Sequence, residues 1–323
     1  MTIYKYTHKH NNIYIYIYIY IYIIYTNTNY IIRRTWVMGI INCTPDSFSD
    51  GGQFIEQKAA VDHALRLVYQ GADILDVGGQ STRPGAKMIT EEEECERVIP
   101  LIQALRRDPD FDQIPISIDT FRSSVAREAV GAGADIVNDV SGGRTLDEKM
   151  LRTVADLGVP YILMHMRGDP GSMQSKQNTT YGNVVSDVCK ALERQVEVAE
   201  ASGICRWNIV VDPGIGFAKT PRQSLELLKD LDQTAPFGLP ILSGPSRKSF
   251  IAYTLKQREH ETKHQSRSAI NSSLAHPRIW GTAAAVTASV AKGADFIRVH
   301  DVRAMREVAV VSDAIYRSKV ASE

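Results

Sequence analysis

The segment GADILDVGGQSTRPGA, residues 71–86, joins a glycine that can end a helix to a short apolar run and then to a polar loop. The same beginning recurs: Gly-Ala-Asp also stands at 133–135 and 293–295, and a related Gly-Val-Pro step at 158–160. Glycine adopts the left-handed conformation that ends helices at little cost. Because an apolar run follows each step at once, we expect short turns here, each leading from a helix directly into a strand.

Eight apolar runs of strand type recur from residue 36 onward. They are WVMGIIN, ADILDVGG, IPISIDT, ADIVNDV, VPYILMHM, NIVVDPG, LPILSG and ADFIRVH. Between them, apolar residues at helical spacing occupy 60–68, 98–105, 121–129, 149–157, 184–199, 224–231 and 302–311. Strands alternating with helices are typical of parallel sheets built from βαβ units. Eight units in about 280 residues favour a closed (β/α)8 TIM barrel over an open doubly wound sheet. We therefore predict an α/β fold with a single barrel domain at 35–323.

Two segments depart from this alternation of strands and helices. Residues 1–34 contain NNIYIYIYIYIYIIYTNTNY, which an AT microsatellite read in frame would encode, so we interpret them as a translated repeat or a misplaced start. The rival interpretation, an organelle presequence, fits less well because residues 1–32 contain no Arg. A polar stretch at about 256–279 is predicted to be a solvated surface insertion rather than a lid.

The composition argues against several classes of partner. The chain has 37 basic and 37 acidic residues, so no global field attracts nucleic acid or an anionic membrane. The sequence contains no run of about 20 apolar residues, the length needed to span a bilayer. The four cysteines, Cys43, Cys95, Cys189 and Cys205, show no C-x-x-C spacing, which favours free thiols in a reducing compartment over disulfides or a zinc site.

Polar residues stand at or near the ends of most predicted strands. Because the carboxyl ends of barrel strands meet at one face, these side chains should form a ring there. The ring comprises Asn42, Asp76, Asp119, Asn138, Met164 with His165, Asp212, Gly244, and Arg298 with His300. One such Asp could be a structural cap, but several are costly in an apolar barrel unless each has a partner. Carboxylates that accept and amides that also donate suit a flat heterocycle with an amino-pyrimidinone edge.

Cationic residues are expected at the same face. Arg83 follows the second strand, Lys248 the seventh, and Arg298 and His300 alternate on the eighth. Arg presents a fork to phosphate oxygens and Lys a point charge. The run MGIINCTPDSFSDGG, residues 38–52, ends its apolar part at Asn42 and opens a polar loop that suits an anion or a metal. Neither a P-loop nor a dinucleotide-binding glycine motif is present.

Eight motifs together resemble the dihydropteroate synthase family, the folate-pathway enzymes that sulfonamides target. In the family's order they are MGIINCTPDSFSDGG, DVGGQSTRPGA, SIDT, VNDVSGG, MHMRG, DPGIGF, SRKSF and IRVHDV. The segment GPSRKSFI and the long insertion resemble the eukaryotic, fungal-like branch. In that branch this domain is commonly fused behind two other folate-pathway domains, so the resemblance also raises a multifunctional folate-synthesis polypeptide.

The resemblance implies a role for each matching position. The residues expected to bind the pterin are Asp119, Asn138, Met164, Asp212, Gly244 and Lys248, of which Asp119, Asn138, Asp212 and Lys248 are also the candidate catalytic residues. Those expected to bind the diphosphate are Asn42, Arg83, Arg298 and His300, with Asn42 also contacting Mg²⁺. Those expected to flank 4-aminobenzoate are Thr82, Pro84, Phe217 and Ser246. Gln80 stands where many family members have Glu, a departure expected to leave the chemistry unchanged, and Cys43 is interpreted as a small core residue.

The implied reaction is a group transfer that depends on Mg²⁺. It joins 6-hydroxymethyl-7,8-dihydropterin diphosphate to 4-aminobenzoate and gives 7,8-dihydropteroate and diphosphate. Two alternatives are a pterin-dependent methyltransferase, which would have no use for STRP, SRK and RVH together, and an inactive relative that acts as a scaffold. The resemblance also implies a homodimer, and a cytoplasmic or mitochondrial location is expected.

Overall fold

A computed structural model describes residues 34–43, 52–143, 146–235, 238–261 and 278–317. Its eight parallel strands are β1 (Trp36–Asn42), β2 (Ile74–Gly78), β3 (Ile116–Asp119), β4 (Ile136–Asp139), β5 (Tyr161–Met164), β6 (Ile209–Asp212), β7 (Leu242–Ser243) and β8 (Phe296–Val299). They are hydrogen-bonded in the order β6-β5-β4-β3-β2-β1-β8-β7. A bridge between Val211 and Ile241 joins the two ends of that sheet. The predicted single-domain (β/α)8 barrel is confirmed.

Helices surround the strands. Within the described residues they are α1 (Gly52–Tyr69), α2 (Glu91–Arg107), α3 (Ser123–Ala132), α4 (Met150–Leu157), α5 (Val184–Ala201), α6 (Pro221–Lys229), α7 (Ser249–Glu261), α8 (Ile279–Ala291) and α9 (Val302–Tyr316). Helix α6 begins three residues earlier than its apolar spacing predicts, because Thr220 and Gln223 form a capping box ahead of the first apolar turn. No helix among the described residues is long and apolar enough to cross a membrane.

The two unusual segments of the sequence lie largely outside the described residues. The Ile/Tyr repeat falls wholly within residues 1–33, which are not described. Of the polar stretch at 256–279, the first part continues helix α7 to Glu261, and α8 begins at Ile279.

The interior of the barrel is apolar at the amino ends of the strands, which we call the floor. Seven buried side chains from alternate strand positions fill it, namely Met38, Ile74, Ile136, Ile162, Val210, Leu242 and Phe296. A larger core lies between the outside of the sheet and the helices. Burying each such side chain stabilises the fold by about 1.5–3 kcal/mol. The opposite end of the barrel, which we call the mouth, is where the chain turns polar.

The three Gly-Ala-Asp steps form one repeated structure at the floor. In each, the glycine has a left-handed φ, of +96° at Gly71, +120° at Gly133 and +88° at Gly293. The following Asp donates its backbone N–H to the carbonyl at the start of a neighbouring strand, and its carboxylate accepts the N–H of that same residue. The clamped residues are Val37 for Asp73, Ile116 for Asp135 and Ile241 for Asp295. The three Gly-Ala-Asp turns are therefore also clamps between neighbouring strands.

Candidate active site

Four polar side chains from four strands form a connected network inside the mouth. The guanidinium of Arg298 donates from Nε to Asp76 Oδ2 at 2.6 Å and from a terminal nitrogen to Asp119 Oδ2 at 2.5 Å. The amide of Asn138 lies 3.3 Å from both oxygens of Asp76. Strand register brings these side chains together. Asp119 on β3 pairs with Asn138 on β4, and Gly78, two residues after Asp76 on β2, pairs with Asp119. A side chain at Gly78 would begin 3.3 Å from Asp119 Cβ and would crowd this space.

Burial sets the protonation of this network. Removal from water raises the pKa of Asp119 to about 7, against the opposing effect of Arg298. Burial also opposes the charged form of Arg298, but Asp76 and Asp119 outweigh it and raise the pKa of the guanidinium. Arg298 is therefore a permanent cation, whereas Asp119 exchanges its proton near neutral pH.

Asp212 and Lys248 face the mouth from its other side. Asp212 is buried and accepts the backbone N–H of Gly214 at 2.7 Å. Burial raises its pKa. Burial, assisted by the charge of Arg298, lowers the pKa of Lys248 to about 8. The ammonium of Lys248 lies 3.9 Å from the ring centroid of Phe217, within cation–π distance.

An apolar wall completes this side of the mouth. Its buried members are Phe121, Val140, Met164, Met166, Met173 and Ala218, and Leu146 and Phe217 pack against them. Met164 pairs with Asp212 in the sheet register. The mouth therefore offers an apolar face beside hydrogen-bonding groups, which is how proteins hold flat polar heterocycles.

His300 and Ser246 form a pair at the ends of β8 and β7. Ser246 Oγ lies 2.9 Å from His300 Nδ1 and also accepts the backbone N–H of His300. Burial and the cations Arg247 and Arg298 lower the pKa of His300 to about 3, so the imidazole is neutral at physiological pH. Arg247 itself is held by a bidentate pair with Asp301, at 3.0 and 2.6 Å.

The remaining predicted residues lie on the strand ends and loops around the mouth, which we call the rim. Gly244 follows β7, and a side chain there would begin 4.0 Å from Arg298 Cβ. Asn42 ends β1, is exposed, and pairs with Gly78. Thr82 is half-buried, and Arg83 and Pro84 are exposed, on the loop after β2. The predicted loop at 44–51 lies outside the described residues.

Comparison with known proteins agrees with this geometry. The model of the family described as "Pterin binding enzyme" matches residues 38–300. A dihydropteroate synthase of Synechocystis sp. is 47% identical over 285 residues, covering 88% of this chain and 91% of the relative. The chain belongs to the pterin-binding enzyme family, among its dihydropteroate synthases. It is thus a transferase of folate synthesis.

Other relatives support the same assignment. A mitochondrial folate synthesis bifunctional protein of Arabidopsis thaliana is 44% identical, over 88% of this chain but only 50% of its own length. The crystal structure of a Xanthomonas albilineans dihydropteroate synthase in complex with 7,8-dihydropteroate has a TM-score of 0.72 at 37% identity, covering 90% of this chain and 97% of the other. The Yersinia pestis enzyme with a sulfonamide drug has a TM-score of 0.75 at 34% identity, with coverages of 90% and 97%.

The roles of some residues of the site could not be derived from the sequence. Asp76 was expected in the ring but without a role, and it proves to be the shared acceptor of Arg298 and Asn138. Lys219 is buried, with its ammonium 3.0 Å from His165 Nδ1 and 2.9 Å from the Phe217 carbonyl. Burial lowers its pKa to about 7. The local sequence GFAKT is typical of a surface loop, so the burial of its lysine is seen only in the structure. Cys43 lies in the core, as expected, and all four cysteines are free.

Proposed function

We propose that the chain joins 6-hydroxymethyl-7,8-dihydropterin diphosphate to 4-aminobenzoate at the barrel mouth. The reaction breaks the C–O bond to diphosphate, forms a C–N bond to the amine, and releases one proton from nitrogen. The observation that carries the proposal is the convergence of Asp119, Asn138, Asp212 and Lys248 beside an apolar wall. These groups meet inside one buried mouth from four different strands or the loops that follow them.

The pterin is assigned to the interior of this mouth. Asp119 and Asp212 accept from its N–H groups, Asn138 both donates and accepts, and Lys248 donates to a ring acceptor. Met164 packs against the ring face, and Gly244 leaves room beside it. Asp119 accepts a hydrogen bond from Arg298 at 2.5 Å. Since a carboxylate offers about four acceptor sites, Asp119 keeps lone pairs for the ligand.

The diphosphate is assigned to the rim above Arg298. Arg298 is kept charged by two carboxylates, and neutral His300 donates one N–H. Arg83 approaches from the loop after β2 and Asn42 from the end of β1. Mg²⁺ typically binds substrate phosphates with one or two protein ligands rather than a cage of carboxylates. The described residues contain no group of three His, Cys, Asp or Glu that could hold a metal. A site made of the diphosphate and the Asn42 amide oxygen fits both facts. When bound, Mg²⁺ neutralises charge on the leaving group.

Charge placement explains how these residues promote the reaction. As the C–O bond breaks, negative charge grows on the diphosphate beside Arg298 and positive charge grows on the pterin carbon. The carboxylates of Asp119 and Asp212 lie on the pterin side and stabilise that cation. The aniline nitrogen is nucleophilic without a strong base, so 4-aminobenzoate needs mainly to be positioned. Thr82, Pro84, Phe217 and Ser246 are assigned to that task.

The decisive experiment measures product with the full chain. Dihydropteroate and diphosphate are quantified from the two substrates with and without Mg²⁺, for wild type, Lys248→Ala and the exposed control Lys229→Ala. We expect Mg²⁺-dependent product from wild type and the control, and at least a hundredfold lower kcat/KM in Lys248→Ala. Pterin binding without diphosphate release by the wild type would overturn the proposal and favour another pterin-dependent reaction.

We also propose that the chain forms a homodimer through α8 and α9. These helices pack together and expose apolar side chains, with Trp280 79%, Val311 59% and Ile315 63% exposed. The double variant Val311→Asp, Ile315→Asp should halve the mass measured by light scattering, and a monomeric wild type would contradict the proposal.

We also propose a compartment for the protein and its membership of a longer polypeptide. Free thiols and the names of the plant relatives support the cytosol or mitochondria, which fractionation of tagged protein would test. Relatives such as the bifunctional folate proteins support membership of a longer folate-synthesis polypeptide, which the mass of the protein in cell extracts would test.

A further inference from the structure

The loop from Gly79 to Thr90 is organised around one buried side chain. Gln80 is only 6% exposed and makes three hydrogen bonds, all within this loop. Its Nε2 donates to the carbonyls of Ser81, at 2.8 Å, and Lys87, at 3.1 Å. Its Oε1 accepts the backbone N–H of Ile89 at 2.9 Å. The side chain therefore links the beginning of the loop to its end.

These three bonds require an amide. Two of the partners are carbonyl oxygens that need a donor, and the third is an N–H that needs an acceptor, so the orientation of the amide follows from its partners. A carboxylate would satisfy only Ile89 and would place negative charge against two carbonyl oxygens. Both carbonyls are only partly buried, and each would lose the donor that ties it to the start of the loop.

Other contacts fix the ends of the loop but leave most of its middle to Gln80. Arg97 donates to the Gly79 carbonyl at 3.0 Å, and Arg122 donates to the Ile89 carbonyl at 2.5 Å. Between these anchors, the loop also meets the rest of the fold where Gly85 N donates to the Pro170 carbonyl at 3.2 Å. Gln80 closes the part of the loop from Ser81 to Lys87, which we call the arch. Residues 82–84, to which the proposed function assigns the binding of 4-aminobenzoate and diphosphate, lie on this arch.

We propose that Gln80 is a positioning residue of the reaction. It holds the arch so that Thr82 and Pro84 face 4-aminobenzoate, and in this chain the position requires an amide rather than a carboxylate. The inference rests on the proposed function for what the arch binds. It differs from the expectation that Gln80 in place of Glu leaves the chemistry unchanged, and the experiment below decides between the two.

The test compares Gln80→Glu and Gln80→Leu with wild type and with Gln103→Glu, which makes the same chemical change on the exposed face of α2. We expect the KM for 4-aminobenzoate to rise at least tenfold in both position-80 variants. The affinity for a pterin that lacks the diphosphate should stay within twofold, because its site lies inside the mouth. Gln103→Glu should match wild type in both measurements.

A pH series separates positioning from general damage. Once protonated, the carboxyl group introduced by Gln80→Glu can again donate one hydrogen bond, so the defect of this variant should shrink at pH 6. The Gln80→Leu defect should not change. The charged groups around the loop are Arg83, Lys87, residues 91–94, Arg97 and Arg122. They are common to all the proteins, so the ratio of variant to wild type isolates residue 80.

Two readouts need no turnover. Trypsin should cut after Lys87 faster in both position-80 variants. The Ile89 amide should exchange its hydrogen faster in Gln80→Leu, which removes its acceptor, and should stay protected in Gln80→Glu, whose carboxylate still accepts it. If wild type makes no dihydropteroate, the proposed function fails while these readouts still judge the role of Gln80 in the loop. Unchanged exchange in Gln80→Leu with unchanged cleavage, or an unchanged KM for 4-aminobenzoate in an active enzyme, would overturn the inference.

Discussion

Aspartates at the two ends of the barrel have opposite uses. At the floor, Asp135 accepts the backbone N–H of Ile116 and the guanidinium of Arg106. Both partners belong permanently to the protein, and the carboxylate completes a strand clamp. At the mouth, Asp119 accepts from Arg298 and lies against Gly78, where an added side chain would begin 3.3 Å from Asp119 Cβ. The same residue type is thus a structural element at one end and keeps acceptor capacity for a ligand at the other.

The difference lies in what burial does to each carboxylate. Burial raises the pKa of both, and Arg opposes it in both. At Asp135 a backbone hydrogen bond adds to the opposition, whereas at Asp119 the neighbouring carboxylate of Asp76 works with burial. The charged form of Asp119 therefore has fewer stabilising partners within the protein than that of Asp135, which is consistent with the proposed role of Asp119 in accepting from a ligand.

Removing a mouth carboxylate should have the largest effect on activity. Asp119→Ala should lower kcat/KM at least a thousandfold, about 4 kcal/mol of transition-state stabilisation, because the pterin loses an acceptor and the developing cation loses a nearby charge. The free energy of unfolding should change by less than about 1 kcal/mol, since Arg298 keeps Asp76. Steady-state kinetics and urea unfolding of the same preparation measure both quantities. A large loss of stability would place Asp119 with the floor aspartates.

Removing a floor carboxylate should have the reverse effect. Asp135→Ala leaves Ile116 N–H without its acceptor and Arg106 without its carboxylate, so the free energy of unfolding should fall by about 2–4 kcal/mol. The kcat of the protein that remains folded should stay within twofold of wild type. Asp110→Ala, on the exposed surface, is the control for urea unfolding. If kcat fell a hundredfold without loss of stability, the division between floor and mouth would be wrong.

The floor was predictable from sequence because its signals are local. A helix-ending glycine followed by Asp and an apolar run marks each clamp within a few consecutive residues. The ring at the mouth was predictable as a set, since strand ends converge in any such barrel. What the sequence could not supply was the pairing within the ring. Arg298 meets Asp76 across a separation of 222 residues, and only the pairing of β8 with β1, and of β1 with β2, brings them together.

Buried polar groups with an ordinary local sequence were the hardest to predict. Lys219 and Gln80 stand in polar loops, where solvent exposure is the default expectation for both residue types. Their burial follows from long-range packing against His165 and from the folding of a loop on itself. The sequence shows that Gln80 stands where many family members have Glu, but the two carbonyl partners on which our proposal for Gln80 rests are seen only in the structure.

The pH dependence of kcat/KM should sharpen the comparison. The raised pKa of Asp119, about 7, means that its acceptor form is lost as the pH falls below that value. The lowered pKa of Lys248, about 8, means that its charge is lost as the pH rises above that value. We expect a bell-shaped profile with about a tenfold fall per pH unit outside these limits. In Lys248→Arg the alkaline limb should move beyond about pH 9, because a guanidinium stays charged there, and an unmoved limb would show that another group causes it.

The smallest expected effect concerns two neighbours on one strand. Asn138 faces the mouth, whereas Asp139 faces outward and accepts from Ser141 N, Gly143 N and the Tyr161 hydroxyl, each at 2.7 Å. Tyr161→Phe removes one donor and leaves Asp139 the backbone N–H groups of Ser141 and Gly143, so the unfolding free energy should fall by only about 1 kcal/mol. Activity should not change, because the outer face of β4 does not reach the substrate. A lowered kcat with unchanged stability would contradict this expectation. It would mean that Asp139 affects the reaction although its side chain projects from the outer face of β4.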